Sequence, residues 1–159
     1  MSSATLLKVA QLKSVEAFRA HLQSLDITLP VDREILTAQN GSPLAAPLSL
    51  GGRTVGNRWC IHPMEGWDAN RDGSPSVHTL RRWKHFGLSG AKWIWGGEAA
   101  AVQEDGRANP NQTLATPANR DGLTALLQEL RTAHRERFGG CDDLFALNGE
   151  GKLDALLAS

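Results

Sequence analysis

The chain of 159 residues contains no tyrosine and only two cysteines. Cys60 and Cys141 are too few for a disulfide framework or a four-cysteine metal site. Net charge of one sign is lacking too: seventeen basic residues balance seventeen acidic ones. This removes the usual electrostatic ground for a nucleic-acid or anionic-membrane partner. There is no basic start followed by a long apolar run, because Lys8 and Gln11 interrupt the first apolar cluster. Neither a signal peptide nor a membrane span is expected, and a cytoplasmic location is the default reading. No two histidines have a ligand spacing that a carboxylate completes, so no metal site is expected.

Against these absences stand five tryptophans, Trp59, Trp67, Trp83, Trp93 and Trp95, all between positions 59 and 95. Such crowding points to bulky core packing or to a ligand-stacking wall. Hydrophobic residues make 41% of the chain, enough for an ordinary globular core.

The pattern divides at about residue 45. Residues 1–45 read as a helical extension and linker. Ser14 is placed to cap a helix over 15–25, with Val15, Phe18, Leu22 and Leu25 on one face. Pro30, Gly41, Pro43 and Pro47 mark a loop after it. Residues 46–159 read as the main domain. Leu48–Leu50 and Arg53–Val55 flank Gly51-Gly52 as a small hairpin. Trp59–Ile61 reads as a buried strand that Pro63 stops. Ser76 caps a helix through Val77, Leu80 and Trp83, which Gly87 and Gly90 can end. Ala91–Trp95 is a second strand, and a long polar loop follows it. Leu123, Leu126, Leu127 and Leu130 define a second helix, and Leu144–Leu147 a third strand.

Strands alternating with helices imply parallel pairing. No G-x-G-x-x-G follows the first strand, as a dinucleotide-binding sheet would require. Long polar loops after both strands suit a (β/α)₈ barrel, whose active sites gather at the strand C-terminal ends.

Five segments then carry a resemblance: Gly56-Asn57-Arg58, Pro63-Met64-Glu65-Gly66-Trp67-Asp68-Ala69, Phe86-Gly87-Leu88-Ser89-Gly90-Ala91-Lys92, Trp95-Gly96-Gly97-Glu98-Ala99, and Asp105-Gly106-Arg107-Ala108-Asn109-Pro110-Asn111-Gln112. Together, in this order, they resemble the N-terminal part of the NADH:flavin oxidoreductases. This is the old yellow enzyme group, which includes 2,4-dienoyl-CoA reductases. The resemblance implies an FMN-binding (β/α)₈ TIM barrel that passes electrons from NADH or NADPH to an activated alkene or enoyl thioester. It implies that Pro63 and Met64 lie against the flavin ring. Glu65 falls where the family often places a polar residue or cysteine that tunes the flavin, and Ala99 would face the pyrimidine side. It assigns no catalytic residue within this chain.

The family pattern is not continued after Phe145, so the expected product is the N-terminal portion of the barrel, truncated after two to three β/α units and inactive alone. An open sheet edge would then favour low solubility or self-association. Two other readings stand beside this one. One is a non-catalytic α/β fragment or binding module. The other is a glycosidase-like barrel using Glu98 with Asp68 or Glu65. Among the remaining titratable groups, His62 reads as a packed strand residue, His134 as a solvated or boundary position, and Arg81-Arg82 with Lys84 as a wet helix face.

Overall fold

The computed structural model describes residues 7–50 and 52–147, and the chain divides into two compact units, Met1–Ser42 and Pro43–Ser159. In the first unit, helix α1 spans Val15–Ser24, and the Ser14 hydroxyl accepts the Ala17 N–H at 3.1 Å. This satisfies one of the donors that a helix start leaves open. Val15, Phe18 and Leu22 are half-buried, and no residue of α1 is fully buried. The Arg19 guanidinium donates to the Val31 carbonyl and folds the following segment back along the helix.

The second unit begins with strands β1 (Leu48–Leu50) and β2 (Arg53–Val55), an antiparallel pair with Leu48 opposite Val55. A three-stranded parallel sheet follows, made of β3 (Cys60–Ile61), β4 (Trp93–Trp95) and β5 (Phe145–Leu147), with β4 in the centre. Cys60 and Ile61 pair with Trp93 and Ile94, which pair in turn with Phe145 and Ala146. Helix α2 (Val77–Leu88) connects β3 to β4, and α3 (Arg120–Phe138) connects β4 to β5. The chain is thus α/β, as the alternation predicts. The described strands close no barrel.

The helices pack on each other and cover one face of this sheet. Trp83, Ile94, Leu123, Leu126 and Leu130 form the core, with Ile61, Leu80, Phe86 and Ala146 against it. The apolar positions of α3 recur at helical spacing, which is why one side of it is buried from Leu123 to His134. Gly87 lets the helices approach closely, because a Cβ there would collide with the backbone carbonyl of Leu130. Val77, at helical spacing with Leu80 and Trp83, is the first residue of α2 and is 72% exposed.

Sheet pleating decides where the tryptophans go. Successive strand residues point to opposite faces, so Ile61, Ile94 and Ala146 meet the helices. Trp93, Trp95 and Phe145 lie on the other face, where Trp93 contacts Trp95 edge-on at 5.9 Å and Phe145 at 6.2 Å. Ile61 and Ile94 therefore pack toward the core and do not share the face of Trp93. His62 is exposed, because β3 ends at Ile61.

The N-terminal ends of the parallel strands are tied by side chains. The Asn57 amide accepts the N–H groups of Trp59 and Lys92, both at 3.1 Å, and donates to the Gly90 carbonyl at 2.9 Å. The Lys92 ammonium donates to Asp143 at 2.7 Å and to His134 Nε2 at 2.9 Å. His134, expected at the solvent boundary, has no exposed surface. Its Nδ1 lies 2.9 Å from the Gly87 carbonyl, which can only accept. The ring is therefore the neutral Nδ1–H tautomer, with Nε2 accepting from Lys92.

Burial holds the His134 pKa below the ordinary 6.5, the Gly87 carbonyl works against that shift, and Lys92 adds to it. Asp143 is the carboxylate facing the pair and draws it upward. The unfolded chain takes up the proton more readily, so this contribution to stability is complete above the ordinary value and is lost as pH falls below it. The urea midpoint is expected to fall between about pH 7.5 and pH 5.5. In His134→Gln the dependence over this window should flatten. Parallel pH profiles for the two proteins would contradict the assignment.

Candidate functional site

The C-terminal ends of β3 and β4 meet in a network built from the segments singled out in the sequence. Pro63 has no N–H to continue the ladder, so the chain leaves the sheet there. The next contact is made by backbone: the Ala99 N–H donates to the Met64 carbonyl at 3.2 Å. Pro63 lies beside Gly96. The structure thus brings Pro63, Met64 and Ala99 to one place. Met64 is 76% exposed and Ala99 half-buried. Glu65 points elsewhere, accepting from the Trp67 indole at 3.3 Å on the exposed surface.

Helix α2 holds the loop after β3 from one side. Ser76, Thr79 and Arg82 recur every three residues and so share a face of its first turns. Ser76 and Thr79 donate to the Asp68 carbonyl, and Thr79 also donates to the Asp68 carboxylate at 3.1 Å. Arg82 grips the same carboxylate with two nitrogens, Nε at 3.0 Å and Nη2 at 2.8 Å. Nη2 also reaches Glu98 at 2.6 Å. The other Glu98 oxygen accepts the Gly66 N–H at 2.9 Å. Arg82, expected on a wet helix face, is instead the cation that joins the two strand-end loops. The three-residue spacing from Ser76 was the available signal. Lys84, by contrast, lies at the surface with Glu129 at 3.5 Å.

The charges respond accordingly. The Arg82 hydrogen bond, against the cost of burial, holds the Asp68 carboxyl below the ordinary carboxylate range. Burial raises Glu98 above its ordinary value despite the bonds from Gly66 and Arg82. Burial would lower the Arg82 pKa, but the hydrogen bonds to Asp68 and Glu98 outweigh it and raise the value. Both Glu98 oxygens are occupied by protein donors, and its side chain is 3% exposed. Glu98 is built into the wall of the site, a poor placement for the acid of a glycosidase pair.

The loop after β4 supplies the second wall. It forms a bridge between Ala101 and Leu114, and exchanges two hydrogen bonds with Ala69 through Asn111, at 2.9 and 2.7 Å. Arg107 and Gln112, both within the segment Asp105–Gln112, organise it. Gln112 donates to the Ala99 carbonyl at 2.7 Å. Long polar loops are commonly surface features, but this one is folded onto the strand ends.

A flavin ring needs an apolar face to lie on and polar partners at its edge. Pro63 and Met64, exposed just past the end of β3, offer an apolar ledge suited to the face of such a ring. The Ala99 N–H and carbonyl at that ledge are already engaged by Met64 and Gln112. Among the described residues no three His, Cys, Asp or Glu side chains converge as a metal ligand set. No helix among them is long and apolar enough to cross a membrane. The sequence matches no protein-family model and no curated protein.

Proposed function

We propose that residues 46–147 form the opening β/α units of an FMN-dependent, NAD(P)H-using oxidoreductase barrel of the old yellow enzyme type. In this reading Pro63 and Met64 form the apolar floor under the flavin ring. Ala99 borders the ring's pyrimidine side, whereas Glu65, turned to the Trp67 indole on the exposed surface, has no part in the floor. FMN, when bound, supplies the hydride chemistry, and the protein positions it and tunes its potential. The acceptor class is an activated alkene or enoyl thioester.

One observation carries the reading: the Ala99 N–H donates to the Met64 carbonyl, so two segments picked from the sequence for flavin contact are neighbours at the C-terminal ends of adjacent parallel strands. That is the end where barrel active sites gather. Support also comes from the sequential strand order β3-β4-β5. The test is gel filtration of the 159-residue protein after incubation with FMN. The expected result is flavin absorbance eluting with the protein, and its complete separation from a folded protein would contradict the proposal.

A second reading is favoured by the sheet edges. Among the described residues no further strand pairs with the outer side of β3 or of β5, and Trp95 is 40% exposed. This arrangement supports self-association through the sheet edge.

A further inference from the structure

We infer that Gln112 is a positioning residue that fixes the Ala99 peptide at the ledge, with Arg107 fixing Gln112 in turn; the consequence for flavin binding rests on the function proposed above. Gln112 is 5% exposed, and its amide is used at both ends. Nε2 donates to the Ala99 carbonyl at 2.7 Å, and Oε1 accepts the Ala108 N–H at 2.7 Å. Its own N–H is held by the Asn109 carbonyl at 2.9 Å. Ala99 is thereby gripped from two directions, its N–H by Met64 and its carbonyl by Gln112.

Arg107 explains why Gln112 stays in place. Its side chain is 4% exposed, and most of its donors go to backbone carbonyls. Nε donates to the Gln112 carbonyl at 3.1 Å, Nη1 to the Arg71 carbonyl at 2.8 Å, and Nη2 to the Pro110 carbonyl. Its carboxylate partner is Glu104, whose side chain is 73% exposed. A guanidinium used this way fixes a loop path through its planar fork, which lysine cannot reproduce. The contacts run from Arg71 in the β3 loop, through Arg107 and Gln112, to Ala99 after β4.

The chemistry calls for glutamine at position 112. The side chain must donate to one carbonyl and accept from one N–H. A carboxylate of the same shape has no donor and would face the Ala99 oxygen with like charge, whereas a protonated carboxyl regains the donor. Gln112→Glu is therefore a variant whose defect acid should repair.

The experiment titrates the full chain and Gln112→Glu with FMN by flavin fluorescence, at about pH 8 and about pH 5. It also follows backbone amide exchange at Ala99 and Ile94. At pH 8 the variant is expected to bind roughly tenfold more weakly than the native chain, the effect of one buried hydrogen bond. At pH 5 the gap to the native chain at the same pH should close. Ala99 exchange should be faster in the variant at pH 8, with Ile94 in the core unchanged. Equal binding at both pH values overturns the inference, and so does a loss that acid leaves in place. If the native chain binds no FMN, the flavin reading fails by itself, and exchange decides the positioning role: faster exchange at Ala99 alone supports it, and unchanged exchange overturns it. If Gln112→Glu fails to fold, Arg107→Lys is read by the same two measurements at pH 8. Weaker FMN binding or faster Ala99 exchange there supports the inference, and native values of both overturn it.

Discussion

Replacing Arg82 with methionine is expected to destabilise the protein by about 3 kcal/mol, within the range for removing one partner of a buried ion pair. The change leaves the Glu98 carboxylate, 3% exposed, with the Gly66 N–H and no cation. It also takes two hydrogen bonds from Asp68, which keeps the Thr79 hydroxyl. Asp68 is the more exposed of the two carboxylates, so most of the loss should arise at Glu98. The double variant Arg82→Met/Glu98→Gln separates the two contributions. Glutamine keeps an acceptor for Gly66 and carries no buried charge. The double variant should therefore recover a large part of the loss, with a coupling of about 1–2 kcal/mol between the positions. Urea unfolding of the single and double variants measures this. Additive losses would show that Arg82 and Glu98 act independently, against the network described above.

Trp83→Ala should cost about 3–5 kcal/mol. Trp83 is 2% exposed and sits at the centre of the core between α2, α3 and β4. Its ring also lies against Gly97 and tilts on Phe86 at 6.2 Å. A loss of this size is comparable with the whole stability of a small domain, about 5–15 kcal/mol. The alanine variant should therefore melt well below the native chain. Trp83→Phe should cost below about 2 kcal/mol, because it keeps most of the ring volume and removes a buried indole N–H that has no partner among the described residues. Thermal unfolding followed by circular dichroism gives the order native, Trp83→Phe, Trp83→Ala. An alanine variant as stable as the native chain would place the core elsewhere.

The elements of the main domain were largely legible because each has a local cause. Ser76 and Ser14 announce two helix starts, and the leucine spacing announces α3. Trp93-Ile94-Trp95 announces β4, since a short apolar run bounded by glycines favours a buried strand. The face each residue takes was less legible. Ile94 and Trp95 are both apolar, and only the position of the helices decides that Ile94 is fully buried while Trp95 stays half open. The ionic contacts were least legible. Arg82 finds Glu98 sixteen residues away and Lys92 finds Asp143 fifty-one residues away, so neither pairing leaves a spacing rule behind. His134 illustrates the same limit: a histidine near the end of a polar helix is read as wet, but the facing carbonyl of Gly87 and the Lys92 ammonium give it two buried partners.

The strand-end ledge was legible as a set of segments, and its assembly was not. Pro63, Met64 and Ala99 were singled out by resemblance, whereas their meeting depends on an Ala99–Met64 backbone bond and on Gln112, thirteen residues further on. The central claim is that this ledge receives the face of a flavin. Titration of the purified 159-residue chain with FMN, followed by flavin fluorescence, tests it most directly. Saturable quenching that weakens at least tenfold in Met64→Asp and Ala99→Asp, both still folded, is the predicted result. Unchanged flavin fluorescence over a folded native chain, or quenching indifferent to both substitutions, would contradict it.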